Sequence, residues 1–173
     1  SQTVELNEGW NIFSTYICLL DPAELDSIFN EYLADIVIIK DETGGVYWTD
    51  FGINSIAGEN TGVGGIIPGQ GYQIKMLNNT SITFDGELAS YDYPIICTEG
   101  WGMIGYLFQE EHDLEEVMEE MINVEEECID NNLNTNVIIL KDEEGGVYWP
   151  EFGLNGLHQS AGTLKPGEGY QIK

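Results

Sequence analysis

The chain contains no arginine, and its only other strong cations are five lysines, set against 31 Asp and Glu residues for a formal net charge of −26. Without arginine there is no planar guanidinium fork to grip phosphate or carboxylate ligands bidentately. A surface of this sign repels phosphate backbones and anionic lipid, so neither nucleic acid nor a membrane surface is an expected partner. Long apolar runs are missing as well. No stretch approaches the roughly 18 residues that a membrane-spanning helix needs, so membrane insertion is not expected. Cysteine is scarce: Cys18, Cys97 and Cys128 fall at no metal-ligand spacing and allow at most one bridge within the chain. Buried free thiols fit equally well, so cysteine usage leaves the compartment open. The opening "SQTVELNEGW" begins directly at a strand-like segment, as a processed mature terminus or a chain trimmed of its initiator Met would.

Catalytic groupings are also lacking. His112 and His158 accompany no serine or cysteine in a recognisable pattern, and both read as surface histidines. With 31 acids any fold brings some carboxylates together, so no pair stands out for acid–base work. No catalytic residue is assigned, and the chain is not expected to be an enzyme.

What the sequence does contain is a repeat. Residues 36–56 align without gaps to residues 137–157 and are identical at 12 of 21 positions; "PGQGYQIK" (68–75) returns as "PGEGYQIK" (166–173), and "NEGWNIFSTYI" (7–17) as "TEGWGMIGYLF" (98–108). The blocks keep their order, which predicts two tandem homologous modules, residues 1–90 and 91–173. Each module reads as β-β-α-β-β-loop-β: a small, mainly antiparallel sheet with one packed helix, in an α+β class rich in strand. Asp21-Pro22-Ala23-Glu24 marks a helix start, followed by an apolar stripe at Leu25, Ile28, Phe29 and Tyr32. In the second module Asp113 caps a longer helix striped by Leu114, Val117, Met118 and Met121, with Glu115, Glu116, Glu119, Glu120 and Glu125–Glu127 on its other face. "DETGG" and "DEEGG" supply glycines for the positive φ of a hairpin turn, and "VYW" returns as the partner strand.

Residues 76–90 hold one further alternating segment, a last strand of module one or a linker. The second module has no equivalent because the sequence stops at Lys173. Its final strand therefore either ends the sheet or leaves an edge open to another segment. Ser1–Leu6 of a neighbouring chain, with Val4 and Leu6 as the apolar anchors, is a candidate for strand addition there.

Further candidates come from the repeat. Adjacent Tyr47-Trp48 and Tyr148-Trp149 must point to opposite faces of a strand, so one of each pair is open to stacking on a sugar, to burial between subunits or to cover by the loop at residues 52–67. Asp41-Glu42 and Asp142-Glu143 are repeated acidic hairpin tips. Calcium would suit such oxygen donors as a weakly bound cation, but no calcium-loop motif is present, and solvated turn residues are the plainer reading. No other cofactor is implied. Lys40 with Lys141 and Lys75 with Lys173 are repeat partners, expected to neutralise neighbouring carboxylates.

The pattern formed by Gly9-Trp10, Lys40-Asp41, Gly45, Tyr47, Asn54 and Gly71–Lys75, repeated in the second half, resembles repeat modules of secreted bacterial surface proteins and of phage structural proteins. "GWGMIGYLF" and the glutamate-rich helix depart from it. The resemblance implies an extracellular, cell-surface or virion setting and a structural or adhesive role, with no reaction attached. The resulting expectation is a non-enzymatic structural subunit of an extracellular filament or surface assembly, pairing with copies of itself. The alternatives are a glycan-binding adhesin module and a phage virion protein.

Overall fold

The computed structural model describes residues 1–19, 25–56, 65–95, 97, 99–119 and 137–173. The chain is strand-rich with few helices, and its strands form several small antiparallel sheets. Two of these sheets have five strands each. The first contains β2 (Gly9–Phe13), β4 (Ile36–Lys40), β5 (Val46–Trp48), β6 (Ile53–Asn54) and β7 (Tyr72–Met76), in the order β2-β7-β4-β5-β6. The second contains β10 (Gly102–Gly105), β12 (Leu140–Lys141), β13 (Val147–Trp149), β14 (Leu154–Asn155) and β16 (Gly169–Ile172), in the order β10-β16-β12-β13-β14. Aligned residues hold the same register: Ile12 faces Gln73 as Met103 faces Gln171, and Lys40 faces Gln73 as Lys141 faces Gln171.

This order removes the open edge expected in the second half. β16 does not end its sheet; it lies between β10 and β12. The opening strand is also used within its own chain. β1 (Gln2–Leu6) pairs antiparallel with β8 (Thr80–Phe84), from Gln2 against Phe84 to Leu6 against Thr80. The alternating segment after residue 76 is thus a strand of the first half, and Val4 and Leu6 are buried in the adjoining core. β3 (Ile17–Leu19) pairs with β9 (Gly86–Leu88), and β11 (His112–Asp113) with β15 (Thr163–Leu164).

Helices are short. Leu25–Phe29 forms α1, which buries Leu25 and Phe29; Ile28 and Tyr32 pack partly against the same core. The start signal at Asp21–Glu24 lies outside the described residues. Asp113 does cap the second helix, α2 (Leu114–Val117), accepting from the backbone N–H of Glu115 and Glu116. Leu114 and Met118 face inward, while Val117 is exposed. Met121, Glu120 and Glu125–Glu127 lie outside the described residues.

Two cores result. In the first, Phe13 stacks on Phe84 with ring centroids 5.9 Å apart, and Phe29 meets Phe84 edge-on at 6.3 Å. Burying each such ring contributes about 1.5–3 kcal/mol. The second core gathers Ile104, Tyr106, Leu114, Val137, Leu140, Tyr170 and Ile172.

The sheets meet through reciprocal contacts. Phe13 bridges to Glu168, and its aligned partner Ile104 bridges to Gln70. Ser14 N–H donates to the Gly167 carbonyl at 2.9 Å, as Gly105 N–H does to that of Gly69 at 2.8 Å. The approach depends on absent side chains: a Cβ on Gly105 would stand 2.5 Å from Cβ of Ser14, and one on Gly169 would stand 2.7 Å from Cγ2 of Ile12.

Candidate functional site

The acidic hairpin tips are organised turns. Asp41 is buried, and its Oδ1 accepts from Thr43 N–H at 2.9 Å, Thr43 Oγ1 at 2.8 Å and Gly45 N–H at 2.7 Å. Asp142 accepts from Gly146 N–H and His158 N–H, both at 2.6 Å. The double glycine therefore recurs for two separate reasons. Gly44 and Gly145 take φ of 91°, whereas a Cβ on Gly45 or Gly146 would strike the aspartate carboxylate at 2.3 or 2.2 Å.

The neighbouring glutamates reach across to the other half. Glu143 Oε2 accepts from Ile12 N–H at 2.8 Å, and Glu42 Oε2 accepts from Met103 N–H at 3.0 Å. They satisfy edge-strand donors that would otherwise lack a partner. The four carboxylates considered as cation ligands are thus engaged in turns and in the junction. Among the described residues no group of three or more His, Cys, Asp or Glu has a metal-binding arrangement.

The tyrosines and tryptophans separate as strand alternation requires. Tyr47 and Tyr148 point into the cores, so they are structural and not part of an accessible face. The Tyr47 hydroxyl donates to Asp26 at 2.6 Å, and burial together with this carboxylate holds its pKa well above the usual phenol value. Trp48 and Trp149 are half-buried on the opposite side. Each meets an aromatic edge, Trp48 with Phe51 at 4.5 Å and Trp149 with Phe152 at 4.7 Å. Phe51 is 67% exposed and Phe152 66%, and the adjoining Ile53 and Leu154 are exposed too. The same apolar patch is therefore presented twice. A single exposed Leu is ordinary, but a repeated Trp-Phe-aliphatic cluster in so acidic a chain is not.

The repeat lysines are placed differently from expectation. Lys40 Nζ lies 5.0 Å and Lys75 Nζ 5.9 Å from the Trp10 ring centroid; Lys141 and Lys173 lie 4.8 and 6.0 Å from that of Trp101. Both tryptophans are 51% exposed. No ion pair between a lysine and a carboxylate is formed among the described residues. The reason is register: Trp10 directly opposes Lys75, which puts both on one sheet face, and the ring's negative face attracts the ammonium.

His158 is a correction to the surface assignment. It is buried at 6% exposure, with Nε2 2.9 Å from the Tyr170 hydroxyl and 3.1 Å from Glu168 Oε2. Its Nδ1 has no hydrogen-bond partner and stands 3.9 Å from Asp142 Oδ2. Burial lowers the His158 pKa, and Lys165 adds to this. Burial raises that of Glu168 to about 7 despite Lys165, with help from Glu143, Asp142 and Glu144. The backbone at His158, Gln159 and Ser160 is left-handed, with φ of 45°, 58° and 76°, a conformation that costs non-glycine residues energy. No periodic signal in the sequence marks this burial, because His158 follows directly on Leu157, an aligned core residue. His112 is half-buried, with Nδ1 2.5 Å from the Tyr106 hydroxyl.

No helix among the described residues is long and apolar enough to cross a membrane. In comparisons with known proteins, no family model, no curated protein and no solved structure matches this chain.

Proposed function

We propose that the chain is a non-enzymatic structural subunit of an extracellular assembly, built from two homologous modules and joined to copies of itself through the two aromatic patches. The observation that carries this reading is the duplication of Trp48-Phe51-Ile53 as Trp149-Phe152-Leu154, with both phenylalanines about two-thirds exposed. Aromatic anchors of this kind dominate the binding energy of protein interfaces. Two equivalent patches give a subunit a valence of two, and a bivalent unit that does not close on itself extends as a chain.

The duplicated sheet order, the matching registers and the reciprocal junction support homology of the two halves. The extracellular setting rests on the resemblance to secreted surface modules. Strand donation by Ser1–Leu6 is not required by this reading, because that strand serves its own core. The non-enzymatic reading draws on the sequence, in which neither histidine accompanies a serine or cysteine in a recognisable catalytic pattern.

Sedimentation velocity with negative-stain microscopy tests the proposal. Wild-type protein is expected to form extended oligomers at micromolar concentration. Phe51→Asp alone caps the chain and leaves mainly dimers, and Phe51→Asp with Phe152→Asp leaves monomers. A wild-type protein that stays monomeric throughout refutes the reading.

A further inference from the structure

Four of the five lysines lie over two half-exposed tryptophans, although a chain with 31 acids offers each of them carboxylates to pair with. Beside Trp10 is a cleft of about 200 Å³ between the sheets, into which Gln73 and Gln171 project from aligned positions. Neither glutamine side chain makes a hydrogen bond among the described residues, so two half-buried amides keep their donors and acceptors. The other polar groups of the cleft are committed: Glu143 to Ile12 N–H, Asp142 to its turn, and Asn11 to the backbone of Asn7 and Gly9.

The cleft therefore offers the indole of Trp10 and unused amides, with two ammonium donors over the same ring. The lining itself carries the carboxylates of Asp142 and Glu143, and Lys40 and Lys75 lie over the Trp10 ring beside it. A polyanion is opposed by the field of the whole chain. A cation would be drawn equally to any other part of so acidic a surface. What remains is an uncharged ring with hydroxyls on its rim and C–H bonds on its faces. Its C–H groups meet the negative face of the indole, and its hydroxyls pair with amides and ammoniums. Each such hydrogen bond avoids leaving a half-buried polar group without a partner.

We propose that Trp10, with Lys40, Lys75, Gln73 and Gln171, binds one sugar ring of a neutral polysaccharide, and that the aligned Trp101 with Lys141 and Lys173 forms a second site. The proposal is independent of the assembly reading, because Phe51 and Phe152 take no part in it.

The test is affinity electrophoresis of the full chain through gels containing galactomannan, laminarin or xylan as neutral polymers, with alginate as the anionic comparison. At least one neutral polymer is expected to retard the wild-type protein. Trp10→Ala or Trp101→Ala should weaken apparent affinity about tenfold or more, since two linked sites act with avidity. The double variant should migrate as if the polymer were absent, and Phe51→Asp with Phe152→Asp, which keeps both tryptophan sites, should still be retarded. A second readout does not depend on alanine variants: in a Trp48→Phe/Trp149→Phe background only Trp10 and Trp101 emit under tryptophan-selective excitation, and the retarding polymer should shift their emission. The proposal is overturned if no neutral polymer retards the protein or if alginate alone does. Undiminished retardation of a folded double variant, or unchanged emission, overturns it equally.

Discussion

Tyr72 in the first sheet and Tyr170 in the second occupy the same register position, both fully buried, and each phenol oxygen accepts the backbone N–H five residues earlier, from Ile67 in one and Lys165 in the other. Around that shared anchor the halves diverge. Tyr72 has the neutral amide of Gln70 at 3.1 Å, whereas Tyr170 has the imidazole of His158 at 2.9 Å, itself 3.1 Å from the Glu168 carboxylate. The backbone contact fixes the ring, so the side chain beside it is free to differ in chemistry without changing the sheet. The first half adds the β1–β8 ribbon over its core; among the described residues of the second, the corresponding addition is the short β11–β15 pair. The two halves thus share a frame and differ in what titrates inside it.

If that frame is common, its shared junction should be equally sensitive from either side, and this is the largest effect expected. Gly169→Ala places a methyl 2.7 Å from Ile12 Cγ2 and 3.0 Å from the Phe13 carbonyl; Gly71→Ala places one 2.9 Å from the Ile104 carbonyl. Backbone atoms cannot swing aside as a side-chain tip can. Each variant should lose about 2–3 kcal/mol in urea unfolding, within error of one another. A clear asymmetry would show that the junction is not reciprocal in energy as it is in geometry. Next comes the hairpin turn. Asp142→Ala strands the N–H groups of Gly146 and His158, for about 2–3 kcal/mol, and Asp41→Ala strands those of Thr43 and Gly45, for a similar amount. Amide exchange would locate the loss to the mutated half.

How much of this was legible in the sequence follows the same division. Strand alternation, the Asp113 cap and the buried faces of Leu25, Phe29, Leu114 and Met118 depend on local spacing, and local spacing is what a sequence displays. The strand order depends on which distant segments pair, so the central placement of Gly169–Ile172 and the pairing of Gln2–Leu6 with Thr80–Phe84 could not be read from spacing. Among the site candidates, Trp48 and Trp149 lie half-exposed, but their patches are completed by Phe51 and Phe152, which sit past the strand ends in a one-turn helix. Lys40 and Lys75 were visible as repeated residues. Their stacking on Trp10 appears only once β7 is placed between β2 and β4. His158 was misread because a polar residue one position from an aligned core residue gives no periodic signal of burial.

The contrast between Gln70 and Glu168 can be sharpened by exchanging them, with a smaller effect confined to a pH window. A carboxyl raised to about 7 in the folded state holds its proton more tightly than in the unfolded chain, so stability is full below the ordinary carboxylate range and falls as pH rises toward 7. His158 has the opposite sign for the same reason of burial. Its lowered pKa means stability is full above the ordinary histidine value and falls on acidification below it. The wild-type optimum should therefore lie on the acid side of neutrality. Glu168→Gln should remove the alkaline loss and raise stability at pH 8 by about 1–2 kcal/mol, an amount reduced because a third of this side chain meets water. Gln70→Glu should bring a similar alkaline loss to the first half. Thermal unfolding at pH 5, 6.5 and 8 measures both, and flat profiles for all three proteins would remove the titratable distinction between the halves.

The smallest effect is expected where the halves agree most closely, at the lysine–tryptophan pairs. Lys40 and Lys141 stand nearer their rings, at 5.0 and 4.8 Å, than Lys75 and Lys173, at 5.9 and 6.0 Å. An exposed cation–π contact contributes about 0.5–1 kcal/mol and weakens with distance. Methionine keeps most of the apolar stem and removes the charge, so Lys40→Met and Lys141→Met isolate the electrostatic part. Both should cost about 0.5 kcal/mol, and Lys75→Met and Lys173→Met less. The net charge adds only slightly to this loss: removing one of five cations from a chain at −26 adds repulsion spread over the whole surface and screened by salt. Chemical denaturation at low and at molar salt separates the two contributions. A loss that vanishes at molar salt is general repulsion, whereas one that persists equally for Lys40→Met and Lys141→Met belongs to the ring contact, which is the outcome the matched geometry requires.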